Sequence, residues 1–128
     1  MQHLYQNIFY SEKVNKLFTD DAIISYMLRF EGALAQSQAL HEIIPVASAE
    51  VIDKCCKVEN INKDQLIAEA GLAGNINIPL VKQLTAVVKQ SDKEAAKYVH
   101  FGTTSQDVID TAIMLQCRDA TGIIAEDL

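Results

Sequence analysis

A chain of 128 residues with 49% hydrophobic and 22% charged residues has enough apolar material for one compact domain. Its eleven Lys and Arg against seventeen Asp and Glu leave a net charge of -6, and the basic residues are scattered, which argues against the clustered positive footprint of a nucleic-acid binder. No stretch approaches the ~18 uninterrupted apolar residues of a membrane helix, and Met1-Gln2-His3-Leu4-Tyr5 lacks the basic flank and apolar core of a signal peptide. Neither nucleic acid nor membrane is therefore an expected partner, and the cytoplasm is the expected location.

Apolar residues recur three and four apart, and no segment shows the β-branched alternation of a strand, so the fold is expected to be all-α. A short helix is expected over Tyr10 to Phe18, opened by Ser11. Asp20 is a candidate N-cap for a long helix to about Glu42, with Ile23, Met27, Phe30 and Leu34 on one face and Ile24, Leu28 and Ala35 beside them. Pro45 should close that element. Ser48 can start a helix through Val58. Asn62 followed by Gln65 predicts the start of a helix ending at Ala73, where Gly74 suits the left-handed C-terminal position.

Pro79 fits the first turn of the next helix, whose stripe is Leu80, Val81, Leu84, Val87 and Val88. Ser91 and Glu94 are spaced as a capping box for a short helix to about Tyr98. From Ser105 onward, Ile109, Ile113, Cys117, Ala120 and Ile124 form one stripe, with Val108, Ala112 and Leu115 forming a second. So broad an apolar arc implies several packing partners. Cys55, Cys56 and Cys117 are expected to be reduced and mostly buried, and His3, His41 and His100 lie too far apart for a local metal motif. No metal is expected.

The segment from His100 to Ala112 concentrates hydroxyls, amides and carboxylates in an otherwise aliphatic chain. A helix start offers free N–H groups and the positive end of the dipole to an anion. Thr104 and Ser105 would add hydroxyls, and Gly102 would give the loop a backbone freedom that other residues lack. The same residues also fit a purely local role: Thr103 or Thr104 as N-cap, Asp107 as a first-turn acid, Gly102 as a loop glycine, and His100 as a satisfied, partly buried histidine.

The string HFGTTSQDVIDTA over 100–112 closely resembles the first signature region of the fumarase/aspartase superfamily, whose members cleave or form a bond β to a carboxylate and typically release fumarate. Ala73-Gly74-Asn75-Ile76-Asn77-Ile78-Pro79-Leu80-Val81-Lys82, Tyr98-Val99-His100, Phe30-Glu31-Gly32-Ala33-Leu34-Ala35 and Leu115-Gln116-Cys117-Arg118-Asp119-Ala120 are similar to its carboxymuconate cycloisomerase branch. Adenylosuccinate lyases share the signature spacing, but carry His-Asp-Val where this chain reads Gly74-Asn75-Ile76. The resemblance covers nearly the whole chain, at the N-terminal end of proteins several times longer.

The resemblance implies an N-terminal helical domain over 1–104 and, over 105–128, the start of a long helix of a central bundle. It implies a cofactor-free lactonisation of a small tricarboxylate in a homotetramer that serves aromatic degradation. It implies His100 as a catalytic residue, Thr104, Ser105 and Asp107 as a substrate-binding set in which Asp107 orients the donors, and Asn75 as a further amide at the site. Phe101 and Thr103 depart from the residues usual in that branch. The family's second region, with a further catalytic histidine, and its third, a Gly-Ser-Ser-x-Met-Pro-x-Lys loop, have no counterpart in these residues. The chain is therefore expected to be part of a longer enzyme and inactive alone. Its helical ending at Ala125-Glu126-Asp127-Leu128, without a stop residue, fits truncation and terminal fraying equally. A non-enzymatic helical interaction module is the competing expectation.

Overall fold

The computed structural model describes residues 10–126 and 128, and among them every regular element is helical. In chain order these are α1 (Glu12–Lys16), α2 (Asp20–Leu40), α3 (Val46–Cys55), α4 (Lys63–Ala73), α5 (Asn77–Ser91) and α6 (Ser105–Glu126), with 3-10 turns at Val58–Asn60 and Ala95–Tyr98. The all-α expectation is met.

Helix α2 is the scaffold, packing most extensively on α3 and α6. Ile24, Met27, Leu28, Ala35 and Ala39 form its buried face, so the core takes the stripe expected beside the main one, together with Met27. Ile23, Phe30 and Leu34 remain half-buried at its margin. Around that face close Ile52 of α3, Leu66 of α4, Leu80, Leu84 and Val88 of α5, and Val108 and Ala112 of α6. Burying apolar area at helical spacing is the main stabilising term for such a bundle.

Local chemistry sets the boundaries. Ser11 caps α1 as expected, accepting from the Val14 N–H. Thr19 rather than Asp20 caps α2, its hydroxyl accepting from Ala22 N at 3.3 Å; Asp20 becomes the first helical residue, where its charge suits the dipole. Pro45 does not close α2. The helix stops at Leu40 in a Schellman arrangement, with Ile43 N donating to Gln38 O at 2.8 Å and Glu42 N to Ala39 O at 3.0 Å, and Glu42 takes the left-handed position at φ 58° usually given to glycine. Pro45 instead precedes α3, which places Ser48 inside that helix and buried.

Helix α4 follows its sequence signals closely: Asn62 Oδ1 accepts from Gln65 N at 3.0 Å, and Gly74 takes φ 63° beyond Ala73. Its start docks on α5 through Gln83, whose side chain accepts from Asn62 N at 2.8 Å and donates to Asn62 O at 3.2 Å. The Ser91–Glu94 capping box does not form, because α5 runs through Ser91. Asp92 Oδ1 caps the following 3-10 turn instead, accepting from Glu94 N at 2.8 Å and Ala95 N at 3.2 Å.

Helix α6 buries only part of its apolar arc. Val108, Ala112, Gln116 and Ala120 face inward, and Gln116 Nε2 donates to Leu17 O at 2.6 Å, which holds the α1–α2 corner. Tyr26 on α2 donates its hydroxyl to Asp119 at 2.6 Å further along. Ile113, Met114, Cys117 and Ile124 stay exposed. Truncation of Leu84, fully buried, to alanine is expected to cost about 2–5 kcal/mol in urea unfolding. Met114→Ala, on the open face, should change stability by less than about 0.5 kcal/mol.

Candidate functional site

The polar segment expected to carry chemistry lies between the Ala95–Tyr98 turn and α6, and two residues of α2 hold it. Glu31 Oε1 lies 2.7 Å from His100 Nδ1, and Gln38 Nε2 donates to Phe101 O at 2.7 Å. Glu31 and Gln38 are seven positions apart, two turns of one helix face, so both reach the same loop. His100 and Gly102 both adopt left-handed backbone, at φ 56° and 69°. For glycine this is free, whereas for histidine it costs on the order of 1–3 kcal/mol and persists only where surrounding contacts impose it. Phe101 packs edge-on against Tyr98, ring centroids 5.9 Å apart, with much of its ring still exposed.

Glu31 is 1% exposed. Burial pushes its carboxyl above the ordinary range, partly offset by the hydrogen bond and charge of His100, since removing a carboxylate from water penalises its ionised form. Glu31 lies in the family-like stretch Phe30-Glu31-Gly32-Ala33-Leu34-Ala35, and the resemblance implies no role for it. The available signal was its spacing: Glu31 falls three and four positions after Leu28 and Met27, on the face that buries, where an acid needs a reason.

At the start of α6, Asp107 Oδ2 accepts from Thr103 Oγ1 at 3.0 Å, Thr104 N at 2.9 Å and Thr104 Oγ1 at 3.1 Å. These contacts hold the Asp107 carboxyl below its usual range, the Thr104 backbone N–H contributing most. Thr104 and Asp107 thus engage each other across the first turn as a capping box does. The Thr104 hydroxyl is committed to this arrangement, and Asp107 is the group that fixes its direction.

Asn75 caps α5, its Oδ1 accepting from Asn77 N at 2.8 Å and Ile78 N at 3.3 Å. The residue that α5 carries to the polar segment is Asn77, fully buried, with Nδ2 3.5 Å from Ser105 Oγ. The expected amide at the site was that of Asn75, two positions earlier. The signal that separates the two is periodicity, because Asn77, Leu80, Leu84 and Val88 share one buried stripe and Asn75 precedes the helix. Among the described residues Glu31 Oε2, Gln38 Oε1 and Asn77 Oδ1 are buried without a hydrogen-bond partner. Each such group needs an account, and a bound water, an ion or a catalytic role are the usual ones. The structure thus gathers His100, Thr104, Ser105 and Asp107 in one short stretch and adds Glu31, Gln38 and Asn77 beneath it.

The cysteines divide differently from expectation. Cys55 is buried, and burial with nearby negative charge pushes the half-buried Cys56 up to about 12. Cys117 is exposed on the open face of α6, because it falls on the stripe that α6 does not turn inward.

A family model described as "Lyase" matches residues 8–128. The 3-carboxy-cis,cis-muconate cycloisomerase of Acinetobacter baylyi is 52% identical over 126 residues, covering 97% of this chain and 28% of that protein. The 3-carboxy-cis,cis-muconate cycloisomerase of Bradyrhizobium diazoefficiens is 47% identical over 109 residues, covering 85% and 24%. The crystal structure of 3-carboxy-cis,cis-muconate lactonizing enzyme from Pseudomonas putida matches with a TM-score of 0.92 at 36% identity, covering 98% of this chain and 29% of that one. The chain therefore spans less than a third of the length of these relatives.

Two measurements check the site as described. The contribution of Asp107 to stability should be present above its ordinary value of ~3.9 and lost as pH falls through its lower folded value. Asp107→Asn should accordingly flatten the dependence of the unfolding midpoint on pH in that acid window. In native thiol titration one cysteine should react ahead of the others, and Cys117→Ala should abolish that fast phase, because Cys117 is the exposed thiol while Cys55 is buried and Cys56 partly so.

Proposed function

The chain belongs to the lyase family, matched over residues 8–128, and on that premise we propose that it is the N-terminal part of a cycloisomerase that lactonises 3-carboxy-cis,cis-muconate to 4-carboxymuconolactone in aromatic degradation. The observation that carries this reading is the 52% identity, across 97% of this chain, with a cycloisomerase of that name. The reaction needs no cofactor. One substrate carboxylate oxygen bonds to an alkene carbon, and the displaced electron pair moves onto the carbon α to another carboxylate as an aci-carboxylate. A proton then adds at that carbon.

Charge accumulates on carboxylate oxygens in that intermediate, so donors already aimed at them contribute most to the rate. Ser105 and the first free N–H groups of α6 are the proposed donors, and Thr104, whose hydroxyl and N–H both donate to Asp107, belongs to the proposed substrate-binding set as the residue that shapes that helix start. Asp107 orients Thr104, and Asn75 keeps the α5 start in place beneath them. His100 is the proposed catalytic imidazole, a ring that takes a proton when neutral and gives one to, or donates to, a carboxylate only when protonated. Further catalytic groups, a homotetramer, and the division of the chain at residue 105 into an N-terminal domain and the start of a bundle helix belong to the same proposal. The open apolar face of α6 is the surface that such an assembly would use.

The test is to express the reading frame extended to the relatives' length and assay lactone formation. The extended protein should turn over 3-carboxy-cis,cis-muconate, and the 128-residue chain should not. Ser105→Ala in the extended protein should lose about 2–4 kcal/mol of transition-state stabilisation, a drop of roughly 30- to 1000-fold in kcat. An unchanged rate for that variant would sink the assignment and favour a helical interaction module. Turnover of a different fumarate-releasing substrate in a panel would move the reading to another lyase.

A further inference from the structure

The contact beneath His100 has a chemical consequence for that ring. Glu31 is almost wholly enclosed, and its Oε1 meets Nδ1 at 2.7 Å, while the His100 side chain keeps 17% of its surface. Nδ1 is therefore turned into the protein. Nε2 makes no hydrogen bond among the described residues, and it is not among their buried unpartnered atoms. It is therefore not sealed from solvent, on a residue that lies three to five positions before the hydroxyls of Thr103, Thr104 and Ser105 in the chain.

We propose that Glu31 is a positioning residue for His100: its carboxylate accepts from Nδ1–H, fixing both the ring direction and the tautomer, so that neutral His100 presents an unprotonated Nε2 outward. A ring nitrogen takes or gives a proton only in the correct tautomer, and the partner of the other nitrogen selects that tautomer. The left-handed backbone at His100 is the second mark of the same constraint, since a non-glycine residue keeps that conformation only where surrounding contacts impose it. Gln38 completes the hold by anchoring the next carbonyl.

The charged and titratable groups around the pair are few. Asp107 on α6 senses the His100 charge, Cys56 at the end of α3 senses Glu31 and stays a thiol, and Asp53 of α3 lies against α2 at Gly32. None of them hydrogen-bonds to Nδ1, so Glu31 is the group that selects its state. What Nε2 meets in catalysis rests on the cycloisomerase reading; the tautomer does not.

The experiment is imidazole ¹⁵N NMR of the 128-residue chain at about pH 9, well above the ordinary histidine value of ~6.5. The expected result is one His100 tautomer, with Nδ1 protonated and Nε2 bare. Glu31→Met removes the acceptor at similar volume, and at about pH 9 it leaves a neutral ring rather than an unpaired buried charge beside it, which limits the loss of stability. That variant should convert the single tautomer into a mixture rich in the Nε2–H form while keeping its helical circular dichroism. A wild-type spectrum with the proton on Nε2 overturns the assignment, whether or not the variant folds. So does a folded Glu31→Met variant with an unchanged tautomer. No turnover enters this measurement, so its failure is separable from failure of the lactonisation assay.

Discussion

The hold of α2 on the segment from His100 to Gly102 is the constraint from which the rest of the candidate site follows. A carboxylate enclosed in a helical core needs a partner, and Glu31 finds one in His100. One face of α2 therefore performs two tasks. Ile24, Met27, Leu28 and Ala35 build the core, and Glu31 and Gln38, two turns apart in the same helix, fix the loop that leads into α6. A shift of α2 relative to α5 and α6 would move core and site together.

The start of α6 is organised by an internal network. Asp107 collects the hydroxyls of Thr103 and Thr104 and the Thr104 N–H, which sets their directions before any ligand arrives. That network fixes the backbone at the start of α6, and with it the positions of the Ser105 hydroxyl and the first free N–H groups of the helix. Asn77 supports the same turn from α5 by reaching Ser105. The site is thereby assembled from three helices and one loop, with its foundations at fully buried positions.

Helix α6 also divides its surface. One stripe, Val108, Ala112, Gln116 and Ala120, closes the core, while Ile113, Met114, Cys117 and Ile124 face outward. The relatives are more than three times longer than this chain.

The sequence by itself determined the helical class, the α4 boundaries, the left-handed Gly74 and the location of the polar segment, because these depend on interactions within a few residues: periodicity, Asn62 capping and glycine backbone freedom. It did not determine where α2 stops, because a Schellman ending normally announces itself with glycine and here uses Glu42. Only the tertiary structure decided which apolar stripe of α6 turns inward, that Asn77 rather than Asn75 reaches Ser105, and that Glu31 lies under His100. Those outcomes depend on how helices distant in the chain rotate against one another. Residues 31 and 100 are 69 positions apart, and no local rule links them until packing has placed both on the same side of α2.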